Sequence, residues 1–105
     1  VAQFRTGDGS DGSVVVSIEG DFDLADVDEF LELALPCLER SDRVEIDLGR
    51  VTFIDSSGLG ALVRVRKEGS ETGTKVSLVD VSPATHRLLE ITGLHHAFDI
   101  APREA

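Results

Sequence analysis

The chain switches between two hydrophobic periods. Val14-Val15-Val16-Ser17-Ile18 is a β-branched run and predicts a strand. Ahead of it, Gly7-Asp8-Gly9-Ser10-Asp11-Gly12-Ser13 is turn chemistry: glycine supplies positive φ, and Asp and Ser bond their own backbone. The expected start is therefore a hairpin, with a short extended N-terminus over 1–6, an exposed loop over 7–13 and the core over about 14–100. After Gly20 the period lengthens. Val27, Phe30, Leu31, Ala34, Leu35 and Leu38 recur at spacings of three and four and mark one face of a helix. Asp23 stands before it as an N-cap, and Asp26 and Asp28 suit the positive end of its dipole. Pro36 removes a backbone donor from this stripe, so distortion is expected near the helix C-terminus.

Val44-Glu45-Ile46-Asp47-Leu48 returns to period two, a strand with one buried face. Val51-Thr52-Phe53-Ile54 reads as the end of a buried strand and runs into Asp55-Ser56-Ser57-Gly58. A second helix follows with Leu59, Leu62, Val63 and Arg66 along one side, closed by Gly69 and Gly73. Val76-Ser77-Leu78-Val79 is another strand. Ser82 and Pro83 pair as N-cap and N1 of a third helix, with Leu88, Leu89 and Ile91 inward and Gly93 as its stop. Phe98 to Ile100 adds a short last strand. Strands alternating with helices of this length predict an α/β domain with parallel pairs. The leading hairpin makes the sheet mixed, with four to five strands and about three helices packed against it.

Length and charge narrow the function classes. The 105 residues amount to one domain, 1–105. Lys plus Arg total 10 against 20 Asp plus Glu, a net charge of −10. A field of that sign repels phosphate backbones and anionic lipid, so neither nucleic-acid nor membrane-surface binding is expected. The 41% apolar content suits a folded chain. No apolar run approaches the roughly 20 residues that span a bilayer, and the first residues lack the apolar region of a signal peptide. The chain does not begin with Met, which leaves open what lies upstream. Cys37 has no second cysteine to pair with, which fits a reducing, cytoplasmic setting. Late on an apolar helix face, it reads as a small core residue rather than a reactive thiol.

Candidate chemistry concentrates in one segment. Asp55, Ser56 and Ser57 sit between a strand and a helix, where unsatisfied N–H groups and the dipole favour an anion. A hydroxyl there can cap the helix, bind an anion or accept a phosphate, and the cap is the ordinary role. Gly58 and Gly60 allow close backbone approach, or serve turn geometry and helix packing. A nucleophile elbow needs glycine two residues before the serine, and Ile54 and Asp55 stand there instead. Gly69 to Lys75 imitates a phosphate-binding loop but is one residue short and leads into a strand. The window Asp8 to Glu19 has acids at both ends like a calcium loop, yet Ser13 replaces its glycine and no helices flank it. His86, His95 and His96 have no zinc-site spacing, and the adjacent pair should point apart. A small hydrolase would need one of these histidines beside Ser56. No metal and no cofactor is expected.

The segment Asp55-Ser56-Ser57-Gly58-Leu59, preceded by Phe53-Ile54 and followed by Gly60, resembles the signature of STAS domains, specifically the bacterial anti-sigma factor antagonists. The likeness extends from about Val14 to Ile100. Gly20-Asp21-Phe22-Asp23 sits where the family has Gly-Glu-Leu-Asp, with Asp21 and Phe22 as mild departures that bear on partner choice. Ser82-Pro83, Arg87-Leu88-Leu89 and Gly93-Leu94 resemble the family's last helix. The resemblance implies a binding switch rather than an enzyme. In its unphosphorylated form the protein would bind an anti-sigma factor that is also a serine kinase and so free the sigma factor. Phosphorylation of Ser56 would end binding, and a serine phosphatase would reset it. Chemistry alone does not separate Ser56 from Ser57. Asp21, Asp23, Asp55, Gly58, Leu59 and Gly60 would complete the partner-binding surface, with Asp23 either at the interface or capping the first helix. The alternative within the family is a STAS module of a stress-signalling scaffold or lipid-transport complex that does not cycle through this serine.

Overall fold

Three central parallel strands carry most of the apolar surface, and the rest of the chain is arranged to cover one side of them. β1 (Ala2–Asp8) pairs antiparallel with β2 (Val14–Phe22), Asp8 lying opposite Val14. β3 (Arg43–Ile54), β4 (Lys75–Val79) and β5 (Asp99–Ala101) complete a sheet of order β1-β2-β3-β4-β5, parallel from β2 onward. The crossovers are α1 (Val27–Ala34), α2 (Ser56–Thr72) and α3 (Pro83–Ile91). The computed structural model describes residues 1–101, so the last four positions of the expected domain lie outside the described residues. The mixed sheet and three helices follow the predicted alternation.

On one face Val14, Val16 and Ile18 of β2, Val44, Ile46 and Leu48 of β3, and Val76 and Leu78 of β4 are buried. They join Phe30 and Ala34 of α1 and Leu59, Leu62 and Val65 of α2 in one core. Each such Val, Leu, Ile or Phe side chain removed from water contributes about 1.5–3 kcal/mol. Phe4, Phe22 and Phe30 close the β1 end of this layer, with ring centroids 5.6, 5.6 and 5.0 Å apart. Cys37 belongs to the same core, its Sγ 3.4 Å from the Leu33 carbonyl oxygen. Burial pushes its thiol pKa up, although Arg40 opposes the shift, and away from the reactive thiolate.

β3 is one 12-residue strand that runs from the alternating Val44–Leu48 segment through to Ile54. Its buried positions alternate through Val44, Ile46 and Leu48, then fall three apart at Val51 and Ile54. The register explains the break. Ser17 pairs with Asp47 but Glu19 with Arg50, and Gly20 pairs with Val51 but Asp21 with Phe53. Each step inserts an extra residue into β3, and an insertion flips the following side chains to the other face. Val51 stays inward, Phe53 is turned outward, and Ile54 returns to the core.

The helices keep their predicted places with local corrections. α1 stops at Ala34, and Leu35–Glu39 continues as a 3-10 segment with Pro36 in its first turn, the expected distortion. The inward stripe of α2 runs through Leu59, Leu62, Val65 and Gly69, while Val63 and Arg66 are only half-buried. Gly73, left-handed at φ 80°, ends it. In α3, Leu89 is buried but Ile91 is 74% exposed rather than inward. At about 100° per residue, Ile91 lies some 200° around the helix from Leu89, on the opposite side. His95 and His96 do not point apart. They lie in a 3-10 turn, where regular helix and strand directions do not apply, and their ring centroids are 3.9 Å apart.

Candidate functional site

The candidate residues gather where β2 and β3 end. Phe22 and Ile54 are register partners, and the Asp55 N–H donates to the Phe22 carbonyl at 3.3 Å, carrying the pairing one residue further. α2 begins immediately. Asp55 is its N-cap, with extended backbone and a carboxylate that accepts from the Gly58 N–H at 3.0 Å. This corrects the view of the serines as caps. An aspartate already occupies that position, so Ser56 and Ser57 are the first two residues inside the helix. The first N–H groups of a helix have no intrahelical acceptor, and both hydroxyls sit among them.

Burial separates the two serines. Ser56 is exposed and Ser57 half-buried. Among the described residues neither hydroxyl is hydrogen-bonded to another group. Ser56 shares its helix face with Gly60, four residues on and also exposed. The two glycines differ in kind. A Cβ on Gly58 would stand 2.8 Å from Ile54 Cγ1 and 2.9 Å from the Phe22 carbonyl oxygen, so the close seating of α2 against the strand ends needs glycine there. A Cβ on Gly60 would meet nothing within 4 Å. Leu59, between them, is a buried core residue and offers little to a partner.

Three further acids lie at the end of β2 and in the turn that follows it. Asp21 is exposed and accepts from Thr52 Oγ1 at 2.6 Å, across the β2–β3 pair. Asp23 caps the 3-10 turn Leu24–Asp26 that precedes α1, its carboxylate accepting from the Ala25 N–H at 3.0 Å. That turn lies against α2, and Asp23 serves as its cap. Asp26 is the residue that sequence reasoning undervalued. It is buried, accepts from the Ala2 N–H at 3.1 Å and the Asp23 N–H at 3.3 Å, and ties β1 to the turn. Its burial raises the carboxyl pKa, but the hydrogen bonds from Ala2 and Asp23 outweigh that and hold it below the ordinary value. The signal was present as an acid three residues after Asp23, the spacing of a reciprocal cap.

The histidines are engaged elsewhere. His86 Nδ1 lies 3.2 Å from Glu90 Oε1, His95 and His96 stack on each other, and no hydrogen bond joins Ser56 to any of them among the described residues. A Ser–His nucleophile pair is not assembled here. Among the described residues no three His, Cys, Asp or Glu side chains are grouped to hold a metal ion. Nor is any helix there long and apolar enough to cross a membrane.

With this geometry in hand, comparison with known proteins is decisive. Residues 6–102 match the family described as Mlab, STAS domain. The chain belongs to the STAS-domain family. Within that family it is 30% identical over 94 residues to the anti-sigma-B factor antagonist of Bacillus subtilis strain 168, covering 90% of this chain and 86% of that one. The crystal structure of an anti-sigma factor antagonist from Mycobacterium paratuberculosis superposes with a TM-score of 0.85 at 30% identity, covering 98% of this chain and 87% of the other. The Bacillus cell fate determinant SpoIIAA in its phosphorylated form shares the fold, with a TM-score of 0.77 at 18% identity over 97% of this chain and 92% of that one. In this chain Asp21 and Asp23 at the end of β2 and Asp55 and Ser56 after β3 lie at the same end of the sheet.

Proposed function

We propose that this chain is an anti-sigma factor antagonist whose binding is switched by phosphorylation of Ser56. Its partner is an anti-sigma factor with serine kinase activity, bound by the unphosphorylated form so that the sigma factor is released. The kinase transfers the γ-phosphoryl group of ATP to Ser56 Oγ; the hydroxyl proton leaves, and ADP is the by-product. A serine phosphatase returns the hydroxyl. The chain itself supplies no catalytic group, and the switch operates in the cytoplasm. The observation that carries this reading is the exposed, unbonded Ser56 hydroxyl at the first position of α2, beside an Asp55 that already supplies the cap.

The physics favours a switch that leaves the fold intact. Phosphorylation adds about −1.5 to −2 charges and three acceptor oxygens. The helix N-terminus stabilises part of that charge locally. Asp55, Asp21 and Asp23 oppose it, and a partner surface fitted to a neutral hydroxyl must now desolvate a dianion. Moving a complex from mostly bound to mostly free takes roughly 5.5 kcal/mol of differential affinity for a 1:99 to 99:1 change.

Intact-mass and site-mapping mass spectrometry after incubation with Mg-ATP and host extract tests the reading. One phosphate on Ser56, lost completely in Ser56→Ala and retained in Ser57→Ala, is the expected result. An extract that phosphorylates a known family member but leaves this chain unmodified would make it a STAS binding module that does not cycle through serine, as in a signalling scaffold or lipid-transport complex.

A further inference from the structure

We propose that the apolar groove between the end of β3 and α3 is the anchor by which the anti-sigma factor kinase grips this chain, an inference that rests on the functional reading above. A stable interface buries about 800 Å² on each partner and draws most of its energy from a few aromatic or aliphatic anchors. The acids and hydroxyls around Ser56 do not supply such anchors. Besides Val1, the large apolar side chains exposed among the described residues are Leu24, Phe53 and Ile91, at 71%, 55% and 74%. Phe53 and Ile91 line one groove together with Ile54, Ala84 and Leu88.

The groove is continuous with the switch. Ile54 lines it and also packs against Gly58, in the helical turn that carries Ser56. Phe53 is exposed because the extra residue in β3 at Thr52 re-aims it outward; unbroken alternation after Val51 would have buried it. Leu24 sits in the turn that lies against α2. Asp21 and Asp55 add negative charge near the end of β3, and Arg87 of α3 lines the groove with a positive one. The matching partner surface is an apolar side chain with a basic group on the side of Asp21 and Asp55 and an acidic one on the side of Arg87. A phosphate on Ser56 sets a hydrated dianion beside the groove, so the contact that provides affinity is also the one the modification disturbs.

The probe is the kinase purified from the host by its activity on Ser56 with Mg-ATP. Phe53→Ala should raise the apparent KM for this chain at least about tenfold with little change in maximal rate, and Ile91→Ser should shift it less in the same direction. Both side chains are exposed, so both variants should keep the wild-type urea midpoint, and Phe53→Leu should recover most of the KM. Wild-type kinetics in both Phe53→Ala and Ile91→Ser would overturn the inference and leave the role of Ser56 standing. Self-association of the chain in sedimentation, lost in Phe53→Ala, would give the groove to a second copy and overturn it as well. A host with no kinase acting on Ser56 would sink the functional reading, and this inference with it.

Discussion

Two strand-to-helix junctions stand side by side at one end of the sheet, and they use the same residue type differently. Phe22 and Ile54 are register partners, and each is followed by an aspartate that caps the next turn. After Asp23 the chain makes a 3-10 turn with reciprocal capping, and buried Asp26 binds two backbone N–H groups. After Asp55 the α-helix starts at once, one carboxylate satisfies Gly58, and the Ser56 hydroxyl is left exposed. The first junction uses its acids to lock the fold. The second completes its cap with Asp55 alone, which leaves the Ser56 hydroxyl without a capping role.

Breaking the locked junction should have the largest effect on stability. Asp26→Ala leaves the Ala2 and Asp23 N–H groups without their acceptor, an expected loss of about 1–3 kcal/mol read from the urea midpoint. The same carboxylate gives this junction a pH signature. Its folded pKa is held below 3.8, so its contribution is fully present above that unfolded value and disappears as pH falls through the folded one. Wild type should lose stability more steeply than Asp26→Asn below about pH 4. Equal slopes would mean that the Asp26 carboxylate does not hold this junction as described.

At the second junction Gly58→Ala comes next, with about 1–3 kcal/mol lost as the methyl group meets Ile54 and the Phe22 carbonyl. Asp55→Ala should cost about 1 kcal/mol, the usual worth of an N-cap. Calorimetry would show whether it also frays the turn carrying Ser56. The smallest effect has the opposite sign. Gly60→Ala meets open space on an exposed helix face and should stabilise by up to about 1 kcal/mol. Should both glycine variants shift the melting temperature the same way, the division between a glycine needed by the fold and one that is not would fail.

Much of this architecture was legible along the chain. The hairpin, the alternation of strands with helices and the break at Pro36 follow from turn chemistry and hydrophobic period, which are local properties. The strand-to-helix position of Asp55-Ser56-Ser57-Gly58 was legible for the same reason. The failures have a common cause. Phe53 carries no sign of its exposure in the sequence, since the two register slips that set it depend on the pairing of β2 with β3. Ile91 reads as inward because three apolar residues in a short helix do not reveal which of them faces the sheet. Asp26 reads as a dipole partner because its main acceptor role involves Ala2, 24 residues earlier.

The sequence by itself determined which segments are strands and helices, the sign of the charge and the family, since these depend on residue type and on spacing within a few positions. Tertiary structure decided which serine is exposed, which glycine is indispensable and which aromatic faces outward. Those outcomes depend on how β2 and β3 slip past one another and how closely α2 seats on their ends. Both are set by packing among residues distant in the chain, and no local pattern encodes them.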